Sequence, residues 1–371
     1  MSEEILINVT PQETRVAIVE EGVVQELHIE RSSSLGLVGN IYRGSVCRVL
    51  PGMQSAFVEV GLQRAAFLHV ADVIECTSPE QERPIQEVLH EGQSLMVQVV
   101  KEPIGSKGAR LTTQISIAGR FLVYLPQQEH IGVSQRIEDE AEREILRDRL
   151  IGLLPENHHG GYIIRTMSET ATDEELLADI DYLDKVWANI QAASSGAADR
   201  SLIFQDLNLP MRVLRDVVNE NTDRIVVDSR ETYQKLKEFA ESYAARAVSR
   251  LEHYQGERPL FDLYSVEEEI EKAMSRKVEL QSGGYLIFDQ TEALTTVDVN
   301  TGGFVSGKSL ADTIFKTNLE ASQCIARQLR LRNLGGIIII DFIDMEEDEH
   351  REAVLAELKR AVEKDRARIG V

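Results

Sequence analysis

Cysteine is scarce. Cys47, Cys76 and Cys324 are scattered over 371 residues and odd in number, so neither a disulfide framework nor a C-x-x-C metal pair is available. A reducing cytoplasm is the expected compartment. Aromatic residues are few, at 5%, with a single Trp. No apolar run is long enough for a membrane helix. The start, MSEEILINVT, has neither the basic region nor the apolar core of an export signal. Internal repeats and low-complexity blocks are also missing. Positive charge is in short supply: 40 Lys and Arg stand against 62 Asp and Glu, a net charge of −22. A nucleic-acid binder usually shows a basic surface, so composition alone favours a solvated acidic exterior. The acid is uneven, however. It gathers in IEDEAEREILRDR (137–149) and EEDEHRE (346–352), whereas RQLRLR (327–332) is basic and leaves room for a local cationic groove.

The length suggests two to four domains. Residues 1–35 alternate apolar and polar side chains and read as two or three strands turning at Glu20-Glu21-Gly22. Residues 36–118 hold five short β-rich runs, NIYRGSVCRVL, SAFVEVG, AAFLHVADV, SLMVQVV and ARLTTQISI. Five strands in about 80 residues match a small closed barrel of the OB type. Residues 119–207 mix strands (RFLVYLP, GGYIIRT) with acidic helices. One helix carries Leu176, Leu177, Ile180, Leu183, Val186 and Trp187 at helical spacing and gives way to a loop at ASSGAADRS. Residues 208–277 read as mostly helical. From 278 the pattern is strand, hairpin, helix, strand, helix.

That last stretch carries the chemistry. YLIFDQ (285–290) and ALTTVDVN (293–300) are separated by Thr291 and Glu292, which is hairpin spacing. A helix over about Asp312 to Asn333 should follow, capped by Asp312 or Ser309 and stopped by Gly335-Gly336. Then four consecutive isoleucines run into Asp341. An uninterrupted aliphatic strand predicts a central position, buried on both faces. Two strands ending in Asp298 and Asp341 would bring two carboxylates together at the sheet rim, where ligands of open α/β sheets gather. Mg²⁺ resolves the repulsion, because it takes one or two carboxylates and completes its shell with water and phosphate. The plainer alternative is that such aspartates only start turns or helices. Asp344 fits that alternative, since with Glu346 and Glu347 it lies near the start of a helix over 347–364.

The strings SGGYLIFDQTEALTTVDVNTG, NLEASQCIARQLRLRNLGGIIIIDFIDM, NIYRGSVCRVLPGMQSAFVEVG and KGARLTT are long, in order and spread along the whole chain. They resemble the RNase E/G family, its G branch more than its E branch. The resemblance implies an α+β multidomain protein. Residues 1–35 and 208–277 would form an RNase-H-like domain. An S1-type OB barrel at 36–118 would be inserted in it, followed by a 5′-phosphate sensor at 119–207 and a DNase-I-like catalytic domain at 278–371. It also implies a Mg²⁺-dependent endoribonuclease, with Mn²⁺ as a second option. Such an enzyme cuts single-stranded A/U-rich RNA to 5′-phosphate and 3′-hydroxyl ends in rRNA processing and mRNA decay, and favours a 5′-monophosphate.

Matched motif by motif, Asp298 and Asp341 fall on the family's magnesium ligands, and Asn300 on the residue orienting the attacking water or scissile phosphate. Phe57 and Phe67 fall on RNA-stacking phenylalanines, and Lys107, with Lys101 as a weaker candidate, on their basic partner. Unaided, each phenylalanine reads as barrel core. Arg165 and Thr166 fall on the 5′-monophosphate sensor, with Gly119 and Val123 lining it. A guanidinium beside a hydroxyl suits a terminal phosphate. Family members continue into further strands, a C-x-x-C zinc link and a small dimerisation domain. This sequence has none of these, so a truncated chain is expected, with zinc confined to the missing segment. The homodimer cannot be inferred from it. Two other readings remain: a non-catalytic RNA-binding module built on the barrel and the 5′-end pocket, and a metal-dependent phosphatase or phosphotransferase acting on small molecules.

Overall fold

The computed structural model describes residues 2–76, 83–103, 107–155, 158–302, 310–365, 367 and 369–371. These form two units, one of residues 1–32, 218–238 and 246–371, the other of residues 33–217 and 239–245.

In the first unit, strands Glu13–Glu20 and Val23–Arg31 are joined by Glu21 at φ 49° and Gly22 at φ 79°. Two successive positive φ angles make the tight turn whose twist matches an antiparallel pair. The sheet continues through Glu3–Val9 to two parallel neighbours, Thr222–Val227 and Leu251–His253. Both neighbours lie in the stretch expected to be mostly helical. Ile225, Val226 and Val227 pair with Ile5, Leu6 and Ile7 and are buried, so tertiary pairing decides their state.

The unit's second sheet runs in the order Lys277–Glu279, Tyr285–Gln290, Leu294–Asn300, Ile337–Asp341. The hairpin forms as expected, one residue shorter at Leu294. The isoleucine strand departs from expectation. Among the described residues it is the edge of this sheet, and Ile337 and Ile339 are 62% and 50% exposed. Among the described residues only one sheet face is covered, where Val297, Val299, Ile338 and Ile340 meet the helices Leu310–Leu331 and Asp348–Val362. The first of these helices begins before Asp312, which lies in its first turn; Ser309 falls outside the described residues. Its stop is Asn333, at φ 51°, and the Leu334 amide reaches back to the Leu329 carbonyl at 2.9 Å, so asparagine does the work expected of Gly335 and Gly336. The basic run makes no groove. Arg327 pairs with Glu269 and donates to the Val24 carbonyl, Arg330 reaches Gln25 and the Ala361 carbonyl, and Arg332 lies 4.3 Å over the Phe288 ring.

In the second unit, strands Ile41–Leu50, Ser55–Glu59, Ala66–His69, Arg110–Thr112 and Ser94–Lys101 follow in sheet order. Pairing of the first with the last closes a five-stranded barrel. Val46, Ala56, Val58, Leu68, Val97 and Leu111 fill it. A four-stranded sheet follows, in the order Ile131–Val133, Gly161–Ile164, Leu122–Leu125, Ile117–Ala118. It packs with helices Glu140–Leu153 and Asp173–Gly196. The second helix opens with a Thr172/Glu175 capping box and runs through the Ser-Ser-Gly expected to be loop; its Leu177 is exposed rather than core. No helix of the described residues is long and apolar enough to cross a membrane.

Candidate active site and RNA-facing surfaces

Asp298 and Asp341 are register partners on adjacent parallel strands. Paired positions point to the same face about 4.8 Å apart across the sheet, so carboxylates 43 positions apart in the chain meet at one rim (341 − 298). Both are exposed, on the sheet face opposite the helices. Asn300 is on the same strand face as Asp298, and its Nδ2 donates to Asp298 Oδ2 at 2.9 Å. This turns the carboxylate and leaves the amide oxygen as a further oxygen donor. No cluster of three or more His, Cys, Asp or Glu side chains able to hold a metal occurs among the described residues. Two carboxylates and an amide oxygen suit a hard cation that retains water and can share phosphate oxygens, as Mg²⁺ does. They do not suit zinc, which takes nitrogen and sulfur ligands.

The strand end is held from behind. Asn318, fully buried on the long helix, donates from Nδ2 to the Ile343 carbonyl at 2.8 Å and accepts the Ile343 amide at Oδ1 at 3.2 Å. A side-chain amide thus replaces a strand partner for the backbone two residues beyond Asp341. Sequence patterning gave no hint of it, because a polar residue on the buried face of a helix breaks the apolar pattern without saying what it binds.

On the barrel, Phe57 and Phe67 are register partners that point outward while Ala56, Val58, Ala66 and Leu68 point in. Their rings meet edge-to-face with centroids 6.1 Å apart, and His69 continues the surface at 6.4 Å from Phe67. Phe57 and Phe67 are thus half-exposed surface aromatics. Lys107 is exposed. A Cβ on the next residue, Gly108, would come within 2.1 Å of the Ala65 carbonyl, so glycine lets this segment lie flat along the Phe67 strand, where the Phe67 amide donates to the Ala109 carbonyl at 2.7 Å. Lys101 is exposed at the end of its own strand, in register with Arg110.

Arg165 and Gly119 come together at the end of the second unit's four-stranded sheet. Arg165 Nη1 donates to the Gly119 carbonyl and, at 3.1 Å, to Asp216. Thr166 starts a short 3-10 turn directly after it, and Val123 sits on the neighbouring strand, paired with Ile163. Arg215 grips Asp216 at 2.9 Å and donates to the Ala118 carbonyl at 2.8 Å. Burial works to raise the Asp216 carboxyl, but Arg215 and Arg165 together outweigh it and hold the group below the usual carboxylate range. Beneath the turn, the amides of Arg120, Phe121 and Leu122 all donate to buried Asp179, at 2.8–2.9 Å. Burial pushes Asp179 up, against those three bonds. Neither Asp179 nor Asp216 stands out in the sequence: the first is one of several acids in an acidic helix, and the second ends a short helix directly after Arg215.

The Ribonuclease E/G family profile matches residues 116–371. This chain belongs to the ribonuclease E/G family. Ribonuclease G of Escherichia coli K12 is 54% identical over all of this chain and 77% of its own length. Ribonuclease G of Haemophilus influenzae is 49% identical over 99% of the chain and 76% of its own length. Ribonuclease E of E. coli K12 is 40% identical over 99% of the chain but only 35% of its own length. The expected leaning toward the G branch of the family is borne out by these identities. Within this ribonuclease family member, the aspartate pair belongs to the first unit, and the aromatic barrel face and the arginine turn belong to the second.

Proposed function

We propose that this E/G-family endoribonuclease, a hydrolase acting on RNA, cuts single-stranded RNA at Asp298 and Asp341 with Mg²⁺ as cofactor. In this reading the first unit combines an RNase-H-like part with a DNase-I-like catalytic part at 278–371. The second combines an S1-type barrel with a 5′-end sensor, and the protein works in the cytoplasm on ribosomal precursors and messengers. The observation that carries the reading is the register pairing of Asp298 with Asp341 on one exposed sheet face. Asp298 and Asp341 would hold the ion, with Mn²⁺ able to replace Mg²⁺. When bound, Mg²⁺ lowers the pKa of water and offsets charge on a phosphoryl oxygen. Asn300 fixes the Asp298 carboxylate and is placed to orient the attacking water or the scissile phosphate. Attack in line on phosphorus is the implied path, and no side chain need form a covalent intermediate. Phe57 and Phe67 stack unpaired bases, with Lys107 on the backbone. Arg165 and Thr166 bind a 5′-monophosphate, with Gly119 and Val123 shaping the pocket.

The test is incubation with a 5′-monophosphorylated oligoribonucleotide and Mg²⁺, with and without EDTA. Internal cleavage that EDTA abolishes supports the nuclease. Binding without cleavage would instead support an RNA-binding module, the alternative that the aromatic barrel face favours. Asp298→Asn should cut the rate by more than about 100-fold, beyond the range of outer-shell substitutions, while RNA affinity stays near that of the parent. Equal cleavage by mutant and parent would refute the role.

A further inference from the structure

The outer face of the barrel holds one row that crosses four strands. Arg48 is in register with Phe57, Phe57 with Phe67, and Phe67 with Arg110. Register partners project to the same face, so the order across the barrel is cation, ring, ring, cation. The two ends of the row are not equivalent. Arg110 is already taken by Asp72 at 2.8 Å. Arg48 is exposed. The acid nearest to it on the Phe57 strand, Glu59, is held by Arg200 at 2.9 Å. The outward position of Arg48 is itself a built feature. Tyr42 and Val46 point inward along the same strand, and strict alternation would send Arg48 inward too. A register shift between Val46 and Arg48 inserts Cys47 as an extra residue, and the thiol donates to the Phe57 carbonyl at 3.3 Å. The bulge turns the guanidinium to the side of the rings.

We propose that Arg48 is an RNA-contacting residue that binds the backbone phosphate of the nucleotide stacked on Phe57, so that the strand crosses the barrel along this row. The proposal rests on the reading of the barrel as an RNA-stacking surface. A ring beside a forked donor suits unpaired RNA, because the base lies on the ring while the phosphate meets the guanidinium, and neither contact depends on sequence. A solvated surface arginine, the bland alternative, would contribute nothing measurable to RNA binding.

Binding of a fluorescent 5′-hydroxyl oligoribonucleotide over a KCl series, in EDTA, tests this without involving cleavage or the 5′-phosphate. Each phosphate contact on single-stranded nucleic acid contributes about 0.7 to the slope of log K against log salt. Arg48→Ala should weaken binding about 5- to 10-fold for A-rich and U-rich oligomers alike and reduce the slope magnitude by about 0.7. Arg48→Lys should restore the slope, and both variants should melt with the parent. Phe57→Ala should weaken binding with the slope unchanged. If Phe57→Ala weakens binding but Arg48→Ala changes neither affinity nor slope, the Arg48 assignment is wrong and the stacking surface stands. If Phe57→Ala has no effect, or the parent binds no unpaired RNA, the barrel reading fails and the Arg48 proposal falls with it.

Discussion

Replacing Asn318 by Ala should damage the rim of the catalytic sheet without touching an aspartate. The side chain is fully buried and satisfies both the amide and the carbonyl of Ile343. Truncation removes two hydrogen bonds and opens a small void. An orphaned buried polar group costs about 1–3 kcal/mol. Ile343 is only half-buried, so water recovers part of this, and a net loss of about 2–3 kcal/mol is expected. The second consequence is functional. Asp341 lies two residues before Ile343 at the free edge of the sheet, with one strand neighbour among the described residues. The clamp is therefore what keeps that end in register. Urea denaturation measures the first effect. The Mg²⁺ concentration for half-maximal cleavage measures the second, and should rise about 10- to 100-fold, as for other residues that orient metal ligands. Asn318→Asp keeps an acceptor for the Ile343 amide but sets an anion against its carbonyl in a buried place, and should be worse than Ala in both assays. An unchanged denaturation midpoint together with an unchanged Mg²⁺ requirement for Asn318→Ala would refute the reasoning.

Three further outcomes follow from the arginine turn. Arg165→Ala should abolish the preference for 5′-monophosphate over 5′-hydroxyl substrates and leave slower residual cutting; an unchanged ratio of the two rates would count against the sensor. Gly119→Ala would place a Cβ 2.5 Å from Asp179 Oδ2, in contact with a carboxylate fixed by three amides. Overpacking of this kind costs about 1–3 kcal/mol, so thermal melting should fall and the monophosphate preference with it. The Asp216 carboxyl is held low, so its stabilising effect is full above the unfolded value of about 3.9 and fades as pH falls through the lower folded value. Asp216→Asn should therefore be less stable than the parent at neutral pH, with the gap in unfolding free energy closing below about pH 4. A gap that stays constant with pH would exclude ionisation as its source.

The strands that lie next to one another in sequence were legible, because hairpin spacing and alternation act locally. This covers the first two hairpins, the barrel runs and the pair ending in Asp298. Thr222–Val227 and Leu251–His253 were not, since each is short, sits between helices and gains its state only by pairing with a strand more than 200 residues away or with that strand's neighbour. The isoleucine run suggests double burial in the sequence because four aliphatic side chains carry no period. Helices cover Ile338 and Ile340 but not Ile337 and Ile339. The aspartate pairing followed from strand order and was legible; the clamp on Asn318 needed the helix to be packed before it had a meaning. Arg48 was hidden for a different reason. Alternation assigns faces correctly only until a bulge adds a residue, and after Cys47 the parity of the strand is reversed.

Net charge misleads here for a related reason. A total of −22 is a sum over the whole surface, whereas a phosphate meets only the few charges within about a Debye length, roughly 8–10 Å. The visibly basic run at 327–332 is consumed by Glu269, backbone carbonyls and a phenylalanine ring. On the barrel face the opposite holds: Glu59 and Asp72 are neutralised by Arg200 and Arg110, and the exposed Arg48 stands beside the rings. A cationic run in the sequence can thus be spent on the fold, while a single arginine turned outward by a bulge supplies the local field that RNA would meet.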